Sequence, residues 1–192
     1  MMKHADNPEE RPQTLFRGKF LELVKEGRWE YVRRVNANGA VMVIAVTEEG
    51  ELLLVEEYRF PLHARTIGLP AGLSGDGGEE STLESARREL EEETGYSASS
   101  WTYLFTGPSS PGLTTEMVSF YLADGLRQVA EGGGVDNEDI TVHRIPLSLV
   151  HDWLMDQTGQ GEVVDPKIFM GLYFLFRRFD GSDTVSYTHL RA

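Results

Sequence analysis

The chain is 192 residues long and carries 31 acids against 18 bases, a formal charge of −13. This length predicts one domain with room for a small extra lobe, and the acidic balance excludes non-specific binding to nucleic acid or an anionic membrane, which needs a basic face. With 0 cysteines, disulfides, thiolate metal sites and a cysteine nucleophile are also excluded.

In chain order, residues 1–13 (MMKHADNPEERPQ) are polar and read as a disordered leader rather than a signal peptide. No apolar run approaches the roughly 18 residues needed to span a bilayer, so the expected compartment is the cytoplasm. TLFRGKFLELVKEGRWEYVRRV (14–35) alternates apolar and polar residues on either side of Glu26-Gly27, which predicts an antiparallel β lobe over 14–38. GAVMVIAVT (39–47) is the continuous apolar run of a buried strand. Glu48-Glu49-Gly50 then turns the chain into ELLLVEEYR (51–59), expected as a second strand of the same sheet.

LPAGLSGDGGEE (69–80) reads as a glycine-rich loop. Residues 81–93 follow with helical spacing, Leu83, Ala86 and Leu90 forming one stripe, and Gly95 stands where a C′ glycine ends a helix. Further strands are expected at 101–106, 117–123 and 140–145. PLSLVHDWLMDQ (146–157) predicts a helix with Pro146 in its first turn, and Asp165-Pro166 opens a last amphipathic helix, KIFMGLYFLFRRF. The main domain is therefore 39–182, and 183–192 is a loose tail, native or not. Interleaved strands and helices place the chain in the α/β or α+β class.

On the helix Glu89, Glu92 and Glu93 stand at i, i+3 and i+4 and project from one face, where like charges repel by roughly 0.2–0.5 kcal/mol per pair. Arg88 offsets Glu92 as its i, i+4 partner. Taken alone, such a run is more often a solvated helix face. A divalent cation among the carboxylates would relieve the crowding: Mg²⁺ takes oxygen ligands octahedrally and keeps water or phosphate in the remaining positions.

The spacing around the run decides between these. Glu80, seven residues, Arg88-Glu89-Leu90, one residue, Glu92-Glu93, one residue, Gly95-Tyr96 resembles the signature of the Nudix hydrolases, which hydrolyse a nucleoside diphosphate linked to another group X. The resemblance implies an α/β/α sandwich with a mixed sheet, and Mg²⁺ or Mn²⁺ as cofactor. It assigns Glu89 and Glu93 as direct metal ligands, Glu92 as a ligand of the same catalytic cluster, and the Ala71 carbonyl as completing the site. Arg88 and Glu80 would orient helix and loop by pairing with carboxylates, with a plain structural ion pair as the alternative. The family pattern begins with a glycine six positions before the first glutamate. Here that position is Ser74 and Gly72 lies eight before Glu80, so the loop, with Gly75, Gly77 and Gly78, is about two residues longer than the pattern.

Flanking segments narrow the branch. LLLVEEYRFPL followed by LPAGL resembles the ADP-ribose pyrophosphatases, which implies that Arg59 contacts the pyrophosphate. SSPGLTTE (109–116) resembles that branch's substrate loop and brings in Pro111, Gly112 and Glu116. GRWEYVRR (27–34) is similar to the segment that sets a tryptophan against adenine across a dimer interface, which implies roles for Trp29 and Arg34 and a homodimer; such stacking is worth roughly 1–3 kcal/mol. VDNEDITVHRIPL (135–147) resembles the segment holding the general base, here Glu138, with Asp136 and Asp139 as its rivals. The branch usually has a glutamate two residues before Pro-Ala-Gly, where this chain has Gly68. The implied reaction is hydrolysis of ADP-ribose to AMP and ribose 5-phosphate. The alternatives are the same chemistry on GDP-mannose, a UDP-sugar or a dinucleotide, and a non-catalytic ADP-ribose sensor.

Overall fold

The computed structural model describes residues 11–75, 78, 80–135 and 138–180. Most of the expected leader, Gly77, Asp136 and the tail over 183–192 lie outside the described residues.

Strands β1 (Gln13–Arg17), β2 (Leu21–Glu26) and β3 (Trp29–Arg34) form a three-stranded antiparallel sheet. Glu26 pairs with Trp29 around the turn, and Gly27 takes φ 57°, the left-handed conformation that tight hairpins demand. The central strands are β4 (Gly39–Ala45), β5 (Glu51–Arg59), β6 (Ala64–Gly68) and β7 (Ala71–Ser74). Helix α1 (Thr82–Thr94) precedes the long strands β8 (Tyr96–Pro108) and β9 (Met117–Gln128). Then come β10 (Thr141–Pro146), α2 (Val150–Gly159), β11 (Val163–Val164) and α3 (Lys167–Asp180).

Two four-stranded sheets, β7-β4-β9-β8 and β10-β5-β6-β11, make the centre. Each is mixed, since β4 runs parallel to β9 and β6 parallel to β11 while the other neighbours are antiparallel. Together with α1 on one face and α2 and α3 on the other, this is the α/β/α sandwich with an added N-terminal β lobe. Leu53 packs with Ala86 and Leu90 of α1, whereas Leu52 and Leu54 pack with Leu154 of α2 and Ile168 and Leu172 of α3. Strand alternation thus sends successive β5 side chains to opposite layers, and each fully buried leucine contributes roughly 1.5–3 kcal/mol.

Three sequence expectations need correction. First, β5 does not share a sheet with β4. Both edges of β4 are taken by β7 and β9, so beyond the Val46–Leu52 bridge β5 leaves to pair with β6 and β10. Second, the glycine-rich 69–80 stretch is a loop only in its second half, because Ala71–Ser74 completes the edge of β4. Third, Pro146 ends β10 instead of opening α2. Strand β10 is an edge strand, and a proline there removes no ladder donor.

Candidate active site

Helix α1 is fixed at both ends by its own sequence. Ser81 and Glu84 form a reciprocal capping box, and Gly95 closes the C-terminus at φ 75°. A Cβ on Gly95 would stand 2.3 Å from the Ala130 carbonyl oxygen, so only glycine admits that close approach of the chain after β9.

Between these ends the helix presses its carboxylates onto the sheet. Glu93 is only 5% exposed, and its Oε2 accepts the Ala71 backbone N–H at 2.9 Å. Glu89 lies over Gly72 so closely that a Cβ there would be 2.0 Å from its carboxyl carbon. On β5 the face that carries Leu53 towards α1 continues to Glu57 and Arg59, which form an ion pair. Burial pushes the Glu93 carboxyl up to about 9; the Ala71 N–H opposes this, while the negative charges of Glu89 and Glu57 add to it.

Arg88 ties the outer side of the cluster together. Its guanidinium donates to Glu89 Oε1 at 2.8 Å, to Glu92 Oε2 at 3.2 Å, to Glu80 Oε1 at 3.3 Å and to the Leu73 carbonyl at 3.3 Å. Burial works against its charge, but the bond to Glu80 and the charge of Glu89 outweigh that and raise its pKa. Glu80 also accepts the Ser85 hydroxyl at 2.9 Å, so loop and helix are locked as a unit.

The segment before β10 is strapped to the end of α1. Gly133 N–H donates to the Glu93 carbonyl at 2.8 Å and Gly134 N–H to the Glu92 carbonyl at 3.0 Å, satisfying carbonyls that a helix end leaves unpaired. Within this segment Glu138 accepts the Val135 N–H at 3.0 Å, and its charge acts on Glu57. Asp139 is drawn elsewhere, to Arg65 at 3.0 Å, an arginine that also holds Glu56. A cleft of about 700 Å³ runs between α1 and this strap, lined by Arg87, Arg88, Glu91, Glu92, Gly132 and Val135 among others.

The remaining candidates gather at the N-terminal lobe. Arg34 pairs with Glu116, and Val32 exchanges backbone bonds with the 109–116 loop, its N–H to Leu113 O at 2.8 Å and its carbonyl accepting Thr115 N–H at 3.2 Å. Pro111 and Gly112 are exposed on that loop, and Trp29 is 57% exposed on β3.

The NUDIX domain model matches residues 37–164. The chain belongs to the Nudix hydrolase family. This Nudix hydrolase is 32% identical over 169 residues to the methanol dehydrogenase activator of Bacillus methanolicus, covering 85% of this chain and 89% of that one. It is 34% identical over 144 residues to the ADP-ribose pyrophosphatase of Bacillus subtilis (72% and 77% covered). It is 30% identical over 162 residues to the GDP-mannose pyrophosphatase of an Enterobacter species (80% and 80%). Among solved structures, one titled as an ADP compounds hydrolase superposes with a TM-score of 0.68 at 25% identity, covering 91% of this chain and 95% of that one.

Nudix hydrolases use divalent cations, and the residues present fit one. Among the described residues no three His, Asp or Glu side chains converge as a ready-made cage, because Arg88 holds Glu89 and Glu92. The donor set is nevertheless all oxygen, and Glu93 forms no ion pair among the described residues. The Thr66 hydroxyl oxygen, on the strand paired with Glu57, is buried without a hydrogen-bond partner among the described residues. Hard oxygen donors are what Mg²⁺ and Mn²⁺ prefer. Glu57 and Thr66 were not picked out from sequence. The signal for Glu57 was the two-residue period of ELLLVEEYR, which places it on the Leu53 face once α1 is known to cover that face.

Proposed function

We propose that this Nudix hydrolase uses Mg²⁺, with Mn²⁺ as a substitute, to hydrolyse ADP-ribose to AMP and ribose 5-phosphate. The observation that carries the reading is the buried Glu93 carboxyl beside Glu89, Glu57 and the Ala71 amide, a group that holds its proton near neutral pH unless a cation displaces it. Glu89, Glu92 and Glu93 would hold the ion, with the Ala71 carbonyl alongside. When bound, the ion neutralises the pyrophosphate and polarises the attacking water. Arg88 fixes the carboxylates by its bonds to Glu80, Glu89 and Glu92. Arg59 reaches towards solvent at the end of β5 and supplies a planar fork of donors for the phosphates. Glu138 takes the proton from water; of its rivals, Asp139 is engaged by Arg65 and Asp136 lies outside the described residues.

Trp29, Arg34, Glu116, Pro111 and Gly112 would form the adenosine end, completed by a second copy in a cytoplasmic homodimer. Support for the dimer comes from the N-terminal lobe over 14–38, which exposes Phe16, Phe20, Leu21 and Trp29, an apolar surface typical of an interface. No described helix is long and apolar enough to cross a membrane.

The second reading is the same chemistry on another nucleoside diphosphate sugar such as GDP-mannose. Gly68, where the ADP-ribose branch usually has a glutamate, and the GDP-mannose pyrophosphatase relative favour keeping it. The test is a Mg²⁺ assay on ADP-ribose, GDP-mannose, UDP-glucose, NADH and diadenosine polyphosphates, reading phosphate released after phosphatase coupling. ADP-ribose should be cleaved fastest; a clear preference for GDP-mannose would move the assignment to the second reading. Nucleotide binding without any turnover would make the protein a sensor.

A further inference from the structure

Strand β5 carries consecutive glutamates that point to opposite layers. Glu56 faces α2, held by His143 at 2.8 Å and Arg65 at 2.6 Å, and His143 in turn packs on Trp153 of α2. Glu57 faces α1, is 21% exposed, and pairs with Arg59, which is 51% exposed. Directly across the β5–β6 ladder from Glu57 is Thr66, whose buried hydroxyl oxygen lacks a partner among the described residues. Next along the same face is Gly68, paired with Val55, where an added Cβ would meet nothing within 4 Å. A carboxylate, an unused oxygen and open space thus share one patch of sheet. On this α1 side of the sheet the Glu57 charge acts on Glu93, and the Glu138 charge acts on Glu57.

An octahedral ion needs donors from several directions, whereas Glu89 and Glu93 both come from one face of α1. The directions facing away from the helix are filled by water, by substrate phosphate or by donors of the sheet, such as the Ala71 carbonyl. We propose that Glu57 is a ligand of the same divalent-cation site, a carboxylate supplied by β5 against the helix set, beside the Thr66 hydroxyl and Gly68. This inference rests on the metal-dependent reading above. The competing role for Glu57 is to position Arg59 for the substrate phosphates.

The test is Mn²⁺ binding without substrate, followed by electron paramagnetic resonance of the free ion, in wild type, E57Q, E93Q, G68E and E57Q/G68E. Each variant is checked for folding by thermal melting. E57Q should weaken Mn²⁺ binding by about tenfold or more. G68E in the E57Q background should restore most of that loss, because its carboxylate enters the open space beside the same patch. If E57Q fails to fold, G68E alone is expected to tighten Mn²⁺ binding, and unchanged binding overturns the proposal. Wild-type affinity in E57Q alongside weakened binding in E93Q overturns it too, and a raised KM for substrate would then assign Glu57 to Arg59. No rescue by G68E would locate the loss in something other than the carboxylate and also overturn it. Wild-type affinity in both E57Q and E93Q would instead sink the metal-site reading itself.

Discussion

Gly72→Ala separates the geometry of the site from the stability of the fold. The new Cβ would lie 2.0 Å from Cδ and Oε1 of Glu89 and 2.4 Å from Oε2, against a normal carbon–oxygen contact of roughly 3.3 Å. The carboxylate must therefore retreat by about 1 Å, a displacement of the size that costs about 100-fold in turnover when it falls on a group positioned for chemistry. The fold itself pays little, because everything the Cβ meets is the end of one flexible side chain. An off-rotamer Glu89 costs about 0.5–1.5 kcal/mol, and loss of glycine's freedom in the unfolded chain returns about 0.4–1 kcal/mol. G72A should therefore melt within a few degrees of wild type while kcat falls about 100-fold. Gly95→Ala is the contrast: its Cβ meets the Ala130 carbonyl oxygen at 2.3 Å on a φ of +75°, so it should lose at least about 1–2 kcal/mol from the left-handed backbone alone. Paired denaturant melts and steady-state kinetics decide. Wild-type turnover in G72A, or a stability loss as large as that of G95A, would refute the placement of Glu89 over Gly72.

Four further outcomes follow from the structure. Because burial pushes Glu93 up to about 9, cation binding must displace its proton; Mn²⁺ affinity measured by calorimetry should rise from pH 7 towards 9 by up to about tenfold per unit and flatten in E93Q. For the cation-free protein the same raised pKa gives stability that is complete below the carboxylate's ordinary 4.5 and lost as pH rises through about 9, a slope that urea melts of E93Q should lack. Arg34 and Glu116, partly buried and joining the lobe to the 109–116 loop, should show a coupling of about 1 kcal/mol in a double-mutant cycle of R34A and E116A, and zero coupling would remove that joint. Leu154→Ala, at a fully buried position against α3 and the sheet, should cost about 2–5 kcal/mol with turnover per folded molecule unchanged.

The sequence exposed what depends on local chemistry. The helix stop at Gly95 and the hairpin turn at Gly27 lie where cap and turn residues put them. The i, i+3, i+4 glutamates share a helix whose inner side meets the sheet, as their spacing requires. What stayed hidden was long-range pairing. Nothing local to GAVMVIAVT says that both its edges are claimed by β7 and β9, so the sheet membership of β5 is not legible from its own residues. The four-residue strand β7 hid inside a glycine-rich segment for the same reason, since its partner lies some thirty positions upstream. Glu57 was invisible as a site residue because its partners, Glu93 and Glu138, come from elements far along the chain.

The layout also explains why family membership leaves the group X open. The proposed chemistry is concentrated where α1 meets β5, β7 and the glycine strap of 132–134, where backbone approaches Gly95 and Gly132 too closely for a side chain and Gly72 lies against the Glu89 carboxylate. Glycine backbones and buried carboxylates at such spacings leave little freedom for sequence change without losing the site. The surfaces read here as the nucleoside end are built otherwise. Strand β3 and the 109–116 loop join each other through backbone bonds at Val32 and the Arg34–Glu116 pair, while Trp29, Pro111 and Gly112 stay exposed. Exposed side chains on a backbone-supported joint are exchangeable at small cost, since surface changes away from buried contacts stay within roughly 0.5 kcal/mol of neutral. On the proposed site a change of X needs no change in α1, and relatives named for different substrates are what such a division produces.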